Sequence, residues 1–137
     1  MRQNDLKDRT YKFALRTISL VQSLPKGYIS DVLGRQLLRS GTSVGANYRS
    51  ACRARSTADF IAKLGIVEEE IDESIYWMEL LVQSGIIKLE KIVDNLNEAQ
   101  QLAAITVASI KTAKKISCRN RKFRNPNSKF RNFIKPF

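Results

Sequence analysis

Apolar side chains recur every three or four residues in four separate stretches of the chain, and this spacing limits the fold more than any other feature. An α-helix brings residues at this spacing onto one face, whereas a half-buried strand needs strict alternation of polar and apolar residues. Such alternation never continues for long in these 137 residues. Because the breaks between the stretches are short, neighbouring helices should run antiparallel. The sequence predicts an all-α fold, an antiparallel up-down-up-down four-helix bundle.

Local signals set the ends of the predicted helices. The first stops near Pro25, because proline disfavours helical geometry in the residue before it. The third begins at a capping box in which Ser56 is the N-cap and Asp59 takes the usual place of glutamate, and it stops at Gly85. The predicted helices span about residues 4–24, 30–53, 56–84 and 89–116.

The same periodicity assigns a buried face to each helix, and the face of the second helix is unusually small and polar. The predicted core positions are Leu6, Phe13, Ala14, Ile18 and Val21; Val32, Leu33, Leu37, Ser40 and Val44, with Asn47 as a further candidate; Phe60, Leu64, Val67, Ile71, Ile75, Met78 and Val82; and Leu89, Ile92, Leu96, Ala99, Ala103, Ile110 and Ala113.

The chain contains no histidine, and this absence excludes many kinds of enzyme. A Ser-His-Asp or Cys-His pair, an imidazole base, an HExxH zinc site and a Glu-x-x-His di-iron centre all need that side chain. Cys52 and Cys118 lie far apart without CxxC spacing, which favours reduced thiols over a disulfide or a metal site. We expect a protein that is not an enzyme and that has no catalytic residue, metal or cofactor.

No apolar run approaches the ~18–20 residues that span a bilayer. The N-terminal residues 1–9 carry too many charges for a signal peptide. The sequence therefore predicts a cytoplasmic protein without a membrane partner.

The chain has 24 Lys+Arg and 13 Asp+Glu, and the resulting net charge of +11 is concentrated near the C-terminus. Residues 1–116, the predicted bundle, carry only +4, whereas residues 117–137 hold seven basic residues, no acidic residue and two prolines. This composition, without a helical period, predicts a disordered basic tail. Phenylalanines interleaved with the cations suit stacking on unpaired bases, although the tail could equally be a nonspecific solvating segment or dock on the bundle or a neighbouring subunit.

Phosphate is the natural partner of clustered arginine and lysine, because guanidinium groups bind its oxygens bidentately and each contact releases counterions. Surface cations that only solvate the bundle or pair with its own acids are the alternative. The candidate nucleic-acid-binding residues are Arg35, Arg49, Arg53, Arg55, Lys111, Lys114, Lys115, Arg119, Arg121, Lys122, Arg124, Lys129 and Arg131.

Acidic residues cluster in the third predicted helix, where Glu69 and Glu73 share one face. Without histidine, and with few inward acids on the other helices, two carboxylates do not complete a metal site. We interpret them as structural partners of Arg35, Arg39, Lys63 or a neighbouring subunit.

The second predicted helix contains Gly41 and Gly45, although an interior glycine costs about 1 kcal/mol relative to alanine. The spacing of these glycines is not that of a phosphate-binding loop, and no strand is predicted before the helix. The glycines therefore predict close packing against another helix or a subunit. The same helix carries a polar series at spacings of three and four: Gln36, Arg39, Ser43 and Asn47.

The run 35–49, with Asp59-Phe60, Lys63-Leu64 and Tyr76-Trp77, resembles the four-helix-bundle proteins of the 23S rRNA intervening-sequence family over about residues 6–113. A related branch is the accessory variability protein of diversity-generating retroelements. The resemblance implies a homopentameric ring with a basic surface, no enzymatic activity, and in that branch binding of nucleic acid and a reverse transcriptase. It also implies an internal and intersubunit polar network formed by Gln36, Arg39, Ser43, Asn47, Lys63, Glu69 and Glu73.

Two features depart from the family pattern. Ser50 stands where many members have an acid, and the basic aromatic tail extends beyond the usual end of the bundle. The leading hypothesis is a non-catalytic, oligomeric protein that binds nucleic acid, RNA or DNA, with its basic surface and tail. The second is an oligomeric scaffold for a protein partner, such as a reverse transcriptase or a ribosome-associated factor.

Overall fold

The computed structural model describes the backbone of residues 3–124 and the side chains of residues 5–122. It contains four helices, α1 (Gln3–Gln22), α2 (Tyr28–Cys52), α3 (Thr57–Gln83) and α4 (Leu89–Arg124). Each helix packs against the next one in the chain, and α4 returns to pack less extensively against α1. The predicted all-α, up-down-up-down four-helix bundle is confirmed.

The core runs along the axis of the bundle, and most of the predicted positions line it. Phe13, Leu37, Leu64, Ile71 and Ile92 are fully buried. The prediction was wrong at Val32 and Leu89, which are 42% and 51% exposed. Val32 shares the outer face of α2 with Arg39, seven residues further on, and Leu89 is the first residue of α4. Further core positions that the prediction missed are Leu20, Tyr48, Leu81, Ile87 and Leu102.

Several hydroxyl side chains are buried within this apolar core. Thr17 Oγ1 donates to the Phe13 carbonyl oxygen at 2.8 Å, and Thr106 Oγ1 donates to the Leu102 carbonyl oxygen at 2.7 Å. These two hydroxyls bond to the preceding turn of their own helices, so their burial leaves neither oxygen unpaired. A pattern search for apolar residues does not find such positions.

Gly41 and Gly45 of α2 lie directly against α1. A Cβ atom on Gly41 would come within 2.6 Å of Thr17 Cγ2, and one on Gly45 within 3.3 Å of the Thr10 carbonyl oxygen. Only hydrogen at these positions lets the two backbones approach so closely. The predicted close helix packing is confirmed, and α1 is the neighbour.

The ends of α3 follow the predicted signals. The Ser56 side chain caps the helix by accepting from the Asp59 amide at 3.1 Å. Asp59 Oδ2 in turn accepts from the amide of Arg55 at 3.3 Å, one residue before the usual capping-box partner. At the other end Gly85 has φ +80°, and the Ile86 amide donates to the Leu81 carbonyl oxygen at 3.1 Å, as in a Schellman motif.

The fourth helix does not end near Ile116 as predicted but continues to Arg124. The first proline after the bundle is Pro126, so nothing before it prevents helical geometry. Lysine and arginine are good helix formers and are favourable near a helix C-terminus, where the helix dipole is negative. The basic segment that was assigned to a tail therefore begins as a helix, while residues 125–137 lie outside the described part of the chain.

Candidate nucleic-acid interface

The last part of α4 carries a broad basic face. Lys111, Lys114, Lys115, Arg119, Arg121 and Lys122 are all exposed. At 3.6 residues per turn they cover an arc of about 160° around the helix. Ala113, which is buried against the bundle, lies on the opposite side of the helix from this arc. The cations of this basic face therefore point away from the bundle.

No acidic side chain neutralises the basic face. The last acidic residue of the sequence is Glu98, and ten basic residues follow it. Among the side chains of residues 5–122, the six cations of the basic face form no salt bridge. Arg121 donates only to the Ser117 carbonyl oxygen and to Cys118 Sγ, within its own helix. Unpaired, solvated cations at this density attract polyanions.

Three of the four predicted bundle arginines lie at the same end of the molecule. Arg53 and Arg55 are exposed at the connection between α2 and α3. Arg55 lines a cavity of about 360 Å³ together with Phe60 and Ile116, so this connection lies beside α4 at Ile116. The guanidinium of Arg49 lies over the exposed Tyr11 ring, 5.5 Å from its centre.

Arg35 does not belong to this cluster. It precedes Arg49 on α2 by 14 residues, which places it about 21 Å away along the helix axis. It lines a cavity with Lys26 at the connection between α1 and α2, at the opposite end of the bundle. Of the other predicted contacts, the Arg124 side chain, Lys129 and Arg131 lie outside the described side chains.

A charged cluster joins α2 and α3 away from the basic face. Arg39 Nη1 lies 3.4 Å from Glu70 Oε2, and Arg39 Nη2 lies 2.5 Å from Glu73 Oε1. Gln36 Oε1 accepts from Arg39 Nε at 3.4 Å. The hydrogen bond with Glu73 is the main reason that the pKa of Arg39 is raised above its ordinary value. Arg39 is thus engaged by acids of its own chain, unlike the cations of α4.

The polar series continues along α2, whereas Lys63 and Glu69 form no hydrogen bond or ion pair with it among residues 5–122. Asn47 Nδ2 donates to the Ser43 carbonyl oxygen at 2.8 Å, and Ser43 Oγ donates to the Arg39 carbonyl oxygen at 2.7 Å. Lys63 pairs instead with Asp59, at 3.1 Å within α3. Glu69 is exposed, and the neighbouring Glu70 contacts Arg39 in its place. Which of the two neighbouring acids faces Arg39 depends on how α2 and α3 are rotated relative to each other, which the spacing within one helix does not reveal.

Apolar side chains flank this charged cluster on the outer surface. Val32, Ile66 and Tyr76 are 42%, 42% and 54% exposed, at positions that follow the helical spacing of Arg39 on α2 and Glu73 on α3. Trp77 packs partly against the core and contacts the Tyr76 ring edge-on at 5.0 Å. Its Nε1 is buried and has no hydrogen-bond acceptor among the described residues. We refer to Val32, Arg39, Ile66, Glu73 and Tyr76 as the α2–α3 face.

Four further properties bear on possible chemistry and on membranes. Within residues 5–122, no group of three or more Cys, Asp or Glu side chains is placed so that it could hold a metal ion. Cys52 and Cys118 are both free thiols. Burial, and then a hydrogen bond to Cys52, raise the pKa of the Tyr48 phenol above its ordinary value. None of the helices between residues 3 and 124 combines the length and hydropathy needed to cross a membrane.

The fold and this distribution of charge define a four-helix bundle with one strongly basic end. Residues 2–108 match the sequence profile of the family described as 23S rRNA-intervening sequence protein. The chain belongs to that family. No curated protein matches the sequence significantly.

A solved structure from Bacteroides thetaiotaomicron VPI-5482 has the same fold. It is described as a protein with unknown function from the S23 ribosomal protein family, and it is 39% identical, with a TM-score of 0.76. The match covers 81% of this chain and 99% of the other. Since the family profile ends at residue 108, the whole basic face of α4 lies beyond the matched region.

Proposed function

We propose that this protein is a non-catalytic, oligomeric nucleic-acid-binding protein of the cytoplasm, and that the basic face of α4 and the residues after it make the principal phosphate contacts. The observation that supports this most is the run of ten basic residues after Glu98 without one acid. Each phosphate that such a surface contacts releases condensed counterions, which drives binding. The family description names 23S rRNA and the structural relative is assigned to a ribosomal protein family, and both support a nucleic acid, RNA or DNA, as the target.

Self-association is the second part of the proposal. The α2–α3 face combines exposed apolar side chains with Arg39 and its two acids, a mixture typical of protein interfaces. The resemblance to the accessory variability protein of diversity-generating retroelements suggests a homopentameric ring. We therefore place the subunit contact at the α2–α3 face, away from the basic face.

Fluorescence anisotropy with labelled structured RNA and matched duplex DNA, titrated over salt concentration, tests the phosphate contacts. We expect salt-steep binding by the full chain and a flatter salt dependence for a chain ending at Ile116, because up to seven cations are lost. An unchanged salt dependence after truncation would move the site to the bundle arginines.

A charge-matched pair of variants separates local contacts from net charge. Lys114→Gln with Lys115→Gln removes two charges from the basic face, and Lys88→Gln with Lys91→Gln removes two exposed charges near the other end of α4. We expect the first pair to weaken binding and flatten the salt dependence more than the second. Equal losses would show that only the total charge matters.

A scaffold for a protein partner, such as a reverse transcriptase or a ribosome-associated factor, is the alternative that the α2–α3 face supports. Docking through its apolar side chains should depend little on salt, unlike phosphate binding. Absence of nucleic-acid binding at physiological salt would favour this alternative.

A further inference from the structure

The end of α4 extends beyond the bundle as a free helix. Ala113 is the last buried residue among residues 5–122, Ile116 is 46% exposed, and residues 118–122 are all exposed. The eight residues 117–124 add about 12 Å of helix at 1.5 Å per residue. We call residues 117–124 the free end. Its exposed side chains at residues 118–122 are accessible to a partner.

The cations on and near the free end cover both flanks of the basic face. At 100° per residue, Lys115 and Arg119 fall on one flank. Lys114 and Arg121 fall on the other flank, and Lys111, Cys118 and Lys122 lie between the flanks. From Lys111 to Lys122 the basic face is about 16 Å long. A rod with cations on both flanks fits two parallel rows of phosphates better than a single strand.

From this geometry, and resting on the proposed function, we infer that the free end of α4 lies in the major groove of a B-form DNA duplex, with the cations on its two flanks facing the phosphates of the two strands. A helix with its side chains is about 10–12 Å across, and the major groove of B-DNA is about 12 Å wide. The major groove of duplex RNA is deep and too narrow for such a helix. Arg53 and Arg55, beside the base of the free end, would reach the flanking backbone.

The test separates helical shape from charge. Asn120→Pro breaks the helix inside the free end, because proline removes a backbone donor and clashes with the preceding turn. Asn120→Ala keeps the helix, and neither substitution changes the charge. Since Asn120 is exposed and beyond the last buried residue, both variants should melt like the wild type. Circular dichroism checks that only the proline variant loses helix.

Affinities are measured by anisotropy for a 20-base-pair DNA duplex, the same sequence as duplex RNA, and one DNA strand. We expect Asn120→Pro to weaken duplex DNA binding at least tenfold and Asn120→Ala less than twofold, with single-strand binding changed less than twofold by either. Equal duplex affinity of the two variants would overturn the groove assignment while leaving the proposed function intact. Tighter binding of duplex RNA than of duplex DNA would also overturn it. If the wild type binds none of the three probes, the proposed function itself fails.

Discussion

Gly41 and Thr17 set the distance between α1 and α2 at the scale of single atoms. Thr17 is branched at Cβ, and its hydroxyl is bonded to the Phe13 carbonyl oxygen, so it has little freedom to move. A side chain at position 41 would have to displace it or separate the helices.

We expect Gly41→Ala to destabilise the protein by about 1–2 kcal/mol, the cost of overpacking less the gain in helix propensity. The matched control is Gly65→Ala in α3, where an added Cβ meets no atom within 4 Å. That variant should be more stable by about 0.4–1 kcal/mol. Chemical denaturation measures both, and a stabilising Gly41→Ala would contradict the packing described here.

The Asp59 carboxyl makes the stability of the start of α3 depend on pH. Its hydrogen bond with Lys63, and then that with the Arg55 amide, hold the pKa of the carboxyl below its ordinary value. Because the folded-state pKa is the lower one, these interactions stabilise the helix end at neutral pH, and this contribution is lost as pH falls through the folded-state pKa.

The chemical shift of the Arg55 amide, followed by NMR, should titrate with a midpoint below the ordinary aspartate value of about 3.9. Lys63→Ala should raise this midpoint, because it removes the main cause of the shift. Identical midpoints in the two proteins would show that Lys63 does not stabilise the carboxylate.

At the scale of elements, the sequence correctly predicted the features that depend on local residue type and spacing. The four helices, the cap at Ser56, the stop at Gly85 and the close approach at Gly41 all follow from residue type and spacing. Buried hydroxyls such as Thr17 were missed because their partners are backbone carbonyls of the same helix. The pairing of Arg39 with Glu70 rather than Glu69 depends on how α2 and α3 are rotated, which a single helix does not reveal.

The end of α4 was missed for a different reason. Residues 117–124 have no apolar period because no neighbouring helix covers them, and a search for periodicity therefore reads them as a tail. Two signals for the longer helix were available in the sequence. They are the helix propensity of its lysines and arginines and the absence of proline between Ile116 and Pro126.

The stability of the bundle should not depend on the free end. We expect a chain ending at Ile116 to melt within about 2 °C of the full chain, because residues 118–122 are exposed and lie outside the buried core. Differential scanning calorimetry at low ionic strength makes the comparison. A melting temperature lower by several degrees would show that residues after 116 pack against the bundle.

At the scale of the whole molecule, assembly and phosphate binding should be separable. We expect Arg39→Ala to lower the mass measured by light scattering, because the substitution leaves Glu70 and Glu73 without their cation on the α2–α3 face. Asn47→Ala should act in the same direction. Arg35→Ala, one turn away on α2, is the control and should keep the native mass. If Arg39→Ala keeps that mass and loses only nucleic-acid binding, the structural interpretation of the network is wrong.

The charge of α4 is polarised along its length of about 54 Å. Glu90, Asp94 and Glu98 lie in its first three turns, and every basic residue of the basic face lies in its second half. This separation gives the side-chain charges of α4 a dipole directed along the helix axis. A polyanion therefore exerts a torque on the protein before contact, turning the free end toward itself during diffusion. Productive collisions become more frequent than random tumbling allows, and the association rate is sensitive to ionic strength.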